Sequence, residues 1–203
     1  MKIYGSLQST NTIHTLVTAA HLGVPYELVK LDLANKDDRA NLAQINPNNK
    51  VPVMTEGDWV LTESNAIDEY LCDITPGQTL LPTDPKQKAE VNRWRFWITA
   101  HFSQACGGLN FERMIKKFLN LGAPDEVHVA RNEALFHQFA KVADAHLRQH
   151  PWLANDQLSL ADISLVSYLE HAERAAYPLA SYTSILDLRG HVRALPAWKK
   201  VLS

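Results

Sequence analysis

The stretch INPNNKVPVM, residues 45–54, contains a contradiction. Val51, Val53 and Met54 are strand-forming residues, yet Pro52 sits among them. Proline has no N–H to give to a sheet ladder, so it is confined to edges, bulges and turns. Two readings meet this. In one, an edge strand begins here. In the other, Pro52 holds a bend, with a cis peptide bond as the means, and the backbone of Val51 is left to pair with something other than a strand. The residues on either side decide between them.

Upstream, KIYG (2–5) reads as a short strand. Thr10 or Asn11 can cap a helix whose apolar positions, Ile13, Leu16, Val17 and Ala20, fall on one face. Gly23 and then Pro25 stop it. YELVKLDL (26–33) reads as a second strand. A strand, a helix and a strand this close form a βαβ unit, so the two strands are expected to be parallel with a right-handed crossover. The polar segment ANKDDRANLAQ fits a short helix or an irregular link. Downstream, KVPVMTE and WVLTE meet at Glu56-Gly57-Asp58, a hairpin signal. Ser64 is then expected to cap a helix with Ile67, Tyr70, Leu71 and Ile74 on one face, ended by Pro76-Gly77. The expected order is β-α-β-α-β-β-α, over residues 1–78.

The remainder reads differently. TPGQTLLPTDPK (75–86) is rich in proline and reads as a linker. Beyond it the pattern is helical, so residues 86–203 are expected to form an all-helical domain. In KQKAEVNRWRFWITAHFSQA, Val91, Trp94, Ile98, Phe102 and Ala105 mark one face, while Phe96 and Trp97 add a second. Gly107-Gly108 is expected to interrupt this helix. Further helices are expected near 109–121, 126–149, 160–176, 184–193 and 196–202. Ser159 and Asp162 make a capping box at the start of one of them.

Composition excludes several classes. The formal net charge of −2 gives no pull toward nucleic acid or anionic lipid. No apolar run approaches the ~20 residues that span a bilayer. The start, MKIYGSLQST, lacks the apolar core of a signal peptide. Cys72 and Cys106 are the only cysteines and form no Cys-x-x-Cys pair, which points to a reducing cytoplasm. His146 and His150 share a helical face at i and i+4, but no third ligand is evident, so a solvated face is the expectation and no metal is expected.

With these motifs placed, the chain resembles the glutathione transferase family. GSLQSTNT after the first strand, INPNNKVPVM, LTESNAIDEYL and LSLADI occur in that family's order over essentially the whole chain. The thiol-site residues are similar to those of its Phi, Beta and Nu classes. The resemblance implies an N-terminal thioredoxin-like domain and a C-terminal helical bundle. It also settles the opening question in favour of the bend. In the family the proline matching Pro52 is cis, and the residue before it, here Val51, turns its backbone to glutathione, which adds to the domain like a strand.

Glutathione brings two carboxylates, an ammonium, two amides and a thiol. Ser64, at a helix N-terminus, offers a hydroxyl and unpaired N–H groups to the γ-glutamyl carboxylate. Glu63 is placed to meet the ammonium, and Lys50 the glycyl carboxylate. At the other end the chemistry needs a thiolate. A thiol with a pKa of about 8.5 is only a few per cent ionised at neutral pH. Lowering that by about two units takes about 2.7 kcal/mol. One hydrogen bond to a charged group supplies about 1.5–3 kcal/mol, and a helix N-terminus about 0.3–1. One hydroxyl and one helix therefore suffice, without a general base. Ser9 matches the family's catalytic serine or cysteine, and Asn11 an asparagine that contacts the sulfur in some bacterial members; the competing role for both is to cap the helix. The position of the tyrosine used by many animal members is Gly5 here, and Tyr4 is expected to face the core.

The chain departs from the family at Asp37-Asp38, where serine-type plant members carry His-Lys for the glycyl carboxylate; Arg39 is a nearby substitute. The resemblance also implies an acceptor pocket between the halves. Trp97, His101 and Phe102 are candidates for it, then Phe111 and Phe118, although an aromatic stripe at helical spacing is more often core. The implied protein is a cytoplasmic homodimer that takes glutathione as co-substrate, activates it as thiolate and attacks a small electrophile in detoxification. Two rivals remain: a glutathione-dependent disulfide or peroxide reductase, and a non-catalytic binding protein on the same fold.

Overall fold

The computed structural model describes residues 1–202; Ser203, the last residue of the expected helical domain, lies outside the described residues. The chain folds as two units, Met1–Leu81 with the segment from Ala194 onward, and Pro82–Arg193.

The first unit follows the expected order: β1 (Lys2–Gly5), α1 (Thr10–Leu22), β2 (Glu27–Lys30), α2 (Lys36–Ile45), β3 (Val53–Glu56), β4 (Trp59–Thr62) and α3 (Ser64–Asp73). The strands form one sheet in the order β2-β1-β3-β4. β1 runs parallel to β2, and β3 runs antiparallel to both β1 and β4. The ambiguous segment after β2 is a helix because Asn35 caps it, its Oδ1 accepting from the Asp37 and Asp38 N–H groups at 2.8 and 3.3 Å.

Successive strand residues point to opposite faces, and this sorts the core. On one face Ile3 and Met54 pack with Leu16 and Ala19 of α1 and Ile67 and Leu71 of α3. On the other, Val53 packs with Val51 and with Leu42 of α2, and Tyr4 lies against that cluster. Each large apolar side chain buried this way contributes about 1.5–3 kcal/mol. Two caps differ from expectation. Ser9, rather than Thr10 or Asn11, caps α1: its carbonyl accepts from Ile13 at 3.0 Å and its Oγ from the Thr12 N–H at 3.4 Å. Glu63, rather than Ser64, precedes α3: its carbonyl accepts from Ile67 at 3.0 Å, so Ser64 is already helical. Gly23, at φ 71°, closes α1.

The second unit is helical. Asp84 caps α4 through Lys86 and Gln87 N–H groups at 3.1 and 2.9 Å, with Pro85 as its first residue. α4 runs unbroken over 85–118, with π-helical turns at Ile98–Phe102 and Phe111–Ile115. Gly107-Gly108 therefore does not interrupt it. The reason at Gly108 is close approach: a Cβ there would lie 2.3 Å from the Asn132 side chain. α5 is Glu126–Leu147, α6 Leu160–Tyr168 and α7 Thr183–Ala194. α6 ends short of the expected residue 176. Arg113 donates to the carbonyls of Ala175 and Ala176 at 3.1 and 2.7 Å, holding that segment in turns. α8 (Pro196–Leu202) belongs to the first unit, where Val201 packs against the α1–α3 core.

The Ser159–Asp162 capping box starts α6. Asp162 accepts from the Leu153 N–H at 2.8 Å, the Ser159 N–H at 2.8 Å and the Ser159 hydroxyl at 2.7 Å. Burial pushes its carboxyl up to about 6 against the pull of those three donors.

Candidate active site

A cleft of about 490 Å³ opens in the first unit, lined by Asn11, Asn46, Asn48, Lys50, Val51, Pro52, Glu63 and Ser64. Six of the seven residues expected at the site line it; Ser9, the seventh, stands two positions before Asn11 at the start of α1.

The loop from 46 to 52 is built by its asparagines. Asn46 is buried, donates its side-chain amide to the Lys50 carbonyl at 2.8 Å and accepts from the Asn48 N–H at 3.1 Å. This is the local hydrogen bonding that makes asparagine a turn former. Asn49 takes a positive φ of 52°, and the Val51–Pro52 peptide bond is cis. Among the described residues, the N–H and C=O of Val51 enter no hydrogen bond. A buried residue with both backbone groups open beside a cleft is a docking edge for another extended chain.

Glu63 and Ser64 are held by β4 and α3. Glu63 has φ 66° and ψ 108°, a conformation that costs a non-glycine residue about 1–3 kcal/mol and persists only where its surroundings impose it. Its side chain does not cap α3, so the start of that helix faces the cleft with the partial positive charge of its N–H groups. At the start of α1, two positions before the cleft residue Asn11, the Ser9 hydroxyl accepts from Thr12, which leaves its proton available to a further acceptor. The cleft thus brings together a cation at Lys50, an anion at Glu63, the first turn of α1 at Asn11, the start of α3 at Ser64 and the open backbone of Val51.

Other sequence candidates fall elsewhere. Asp38 accepts from the Asp32 N–H at 2.7 Å and Arg39 donates to the Leu33 carbonyl at 3.5 Å, so these residues organise the entry to α2. Gly5 is packed against Thr12: a Cβ there would lie 2.4 Å from Thr12 Cγ2, which leaves no room for a tyrosine at that position. Within the helical unit, Phe102 is fully buried and stacks with Trp97 at 6.2 Å, while Phe111 and Phe118 are exposed. His146 and His150 stack at 4.5 Å, and among the described residues no group of three or more His, Cys, Asp or Glu stands together as metal ligands. Cys72 and Cys106 are buried and neither is in a disulfide, and burial pushes Cys106 well above the ordinary thiol range. Asn46 and Asn48 are the cleft residues that the sequence reading missed; the signal available was the density of asparagines just before Pro52.

A mixed four-stranded sheet with helices packed on it and a cis-proline loop at its cleft defines a thioredoxin-like domain. Comparison with known proteins is more specific. Residues 1–73 match the glutathione S-transferase N-terminal domain model, and residues 126–202 the glutathione S-transferase C-terminal domain model. The chain is 31% identical to a probable glutathione S-transferase of Oryza sativa subsp. japonica, over 96% of this chain and 88% of that one. The solved structure of glutathione transferase F7 from Populus trichocarpa superposes with a TM-score of 0.89 at 26% identity, covering 99% of this chain and 97% of that one. A glutathione S-transferase-I solved with lactoylglutathione bound is similar at a TM-score of 0.87 and 26% identity, covering 98% and 97%. The chain belongs to the glutathione transferase family.

Proposed function

We propose that this protein works as a glutathione transferase: it binds glutathione in the first-unit cleft, holds it as a thiolate and directs the sulfur at a small electrophile. The observation that carries the reading is the meeting of Asn11, Lys50, Val51, Glu63 and Ser64 in one cleft. In this reading the γ-glutamyl carboxylate sits at the start of α3 with the Ser64 hydroxyl, and its ammonium on Glu63. The backbone of Val51, before Pro52, pairs with the cysteinyl unit. Lys50 meets the glycyl carboxylate, with Asn48 beside it. Ser9 donates its hydroxyl proton to the sulfur, and Asn11 with the dipole of α1 adds to that field. No base is needed to hold the thiolate; the proton passes to solvent.

The division of labour follows, with residues 1–78 as glutathione-binding domain and 86–203 as helical part, of which α8 packs on the first unit. Among the described residues no helix is long and apolar enough to cross a membrane, and neither cysteine is in a disulfide. These support a place in a reducing cytoplasm, and the family a homodimer with a role in detoxification. Ser9→Ala tests the chemistry. Loss of one charge-assisted hydrogen bond, about 1.5–3 kcal/mol, is expected to lower turnover about ten- to a hundredfold at neutral pH. It is also expected to raise the pH at which bound thiol ionises. An unchanged rate and midpoint would remove Ser9 from the mechanism. Running the assay with both electrophiles and disulfides as acceptor separates conjugation from disulfide reduction.

A further inference from the structure

One buried polar pair lies outside this chemistry. His14 Nδ1 and Asp68 Oδ2 are 2.6 Å apart, with side chains 1% and 2% exposed. A carboxylate oxygen only accepts, so the imidazole N–H donates. The pair joins α1 to α3, which already pack through Leu16, Ala19, Ile67 and Leu71. Cohesion does not call for it, because desolvating two polar groups offsets much of what their hydrogen bond returns.

Its place in the two helices sets it apart. His14 stands one helical turn past Asn11, and Asp68 one turn past Ser64. The pair therefore sits one turn behind both helix starts that line the cleft. Apolar packing is non-directional and lets one helix slide on another. A short buried hydrogen bond fixes both a distance and an angle.

We propose that His14 and Asp68 are positioning residues, a brace that sets the spacing between the start of α1, with Ser9 and Asn11, and the start of α3, with Glu63 and Ser64. That spacing determines where the thiol comes to rest once the γ-glutamyl end is anchored. Neither residue touches the substrate; each acts through the helix that carries it. The inference rests on the glutathione reading above.

The test replaces both partners, His14→Leu with Asp68→Leu, so that neither is left orphaned in the core. The denaturation midpoint is expected to stay near that of the wild type. The pH midpoint for ionisation of bound glutathione, followed by thiolate absorbance in the ultraviolet, is expected to rise by about one unit. KM for glutathione is expected to rise about ten- to a hundredfold, the size of effect that a misplacement of about 1 Å can produce, with KM for the acceptor unchanged. A purely structural pair would move only the denaturation midpoint, and an unshifted ionisation midpoint with unshifted KM overturns the proposal. Should the double variant not fold, Asp68→Asn keeps the shape and one acceptor oxygen. It is then measured in the same way; a smaller shift in the same direction supports the brace and no shift overturns it. Titration of wild-type protein with glutathione separates the levels. No binding by the wild type overturns the glutathione reading and the brace together, whereas binding with unshifted variants overturns the brace alone.

Discussion

Gly107 and Gly108 stand side by side in α4, and replacing each with alanine is expected to give opposite results. Alanine is better than glycine in a helix interior by about 1 kcal/mol, so both substitutions gain that much. A Cβ at Gly107 meets nothing within 4 Å. A Cβ at Gly108 would lie 2.3 Å from Asn132 Cγ and Oδ1 and 2.5 Å from its Nδ2. Non-bonded carbon atoms settle at about 3.5–4.0 Å, so Asn132 must swing away. The swing breaks its amide donation to the His128 carbonyl, now 2.8 Å long. Overpacking costs about 1–3 kcal/mol, and the lost hydrogen bond about 0.5–1.5. Gly107→Ala is therefore expected to stabilise by about 1 kcal/mol. Gly108→Ala is expected to destabilise by about 0.5–3.5 kcal/mol. Adding Asn132→Ala to Gly108→Ala removes the clash and should recover the loss. Urea unfolding at neutral pH measures all three. If Gly108→Ala were as stable as Gly107→Ala, close approach to α5 would not be the reason for the glycine.

Two further outcomes follow from buried groups. Asp162 is raised from 3.8 to about 6 in the folded protein, so between those pH values the native state binds more protons than the unfolded one. Its contribution is present in full below the unfolded pKa and is lost as pH rises through about 6, a change of about 3 kcal/mol. The unfolding free energy of wild type relative to Asp162→Asn should thus grow on acidification from pH 7 to pH 4. A difference that shrinks instead would mean that the three donors, not burial, govern the carboxyl. Gly5→Ala places a Cβ 2.4 Å from the buried Thr12 side chain and is expected to cost about 1–3 kcal/mol and to weaken glutathione binding at the start of α1. Wild-type unfolding and titration curves would contradict that.

The elements of the first unit were legible because each carries a local signal: one-sided apolar spacing in α1, the Gly57 turn between β3 and β4, and the break at Gly23. The site was legible largely through Pro52, whose conflict with its strand-like neighbours marks a backbone held for another purpose. What escaped was set by distant residues. The need for glycine at 108, inside a helix that runs on unbroken, comes from Asn132, twenty-odd positions along the chain. The segment beyond α6 is held in turns by Arg113, some sixty positions away in sequence, which donates to the Ala175 and Ala176 carbonyls. The capping roles of Ser9 and Glu63 turn on a shift of one or two residues, because adjacent polar residues compete for the same cap position. Asn46 and Asn48 enter the cleft through the fold of their own loop. The His14–Asp68 pair joins residues with no sequence signal to connect them.

The central proposal is that the cleft lined by Asn11, Val51 and Ser64 is a glutathione site. Calorimetric titration of the purified protein with reduced glutathione at neutral pH tests it most directly. One site per chain is expected, with a dissociation constant in the range of about a micromolar to a few millimolar. No binding heat at about ten millimolar would contradict it, and would leave the fold in the service of a non-catalytic role.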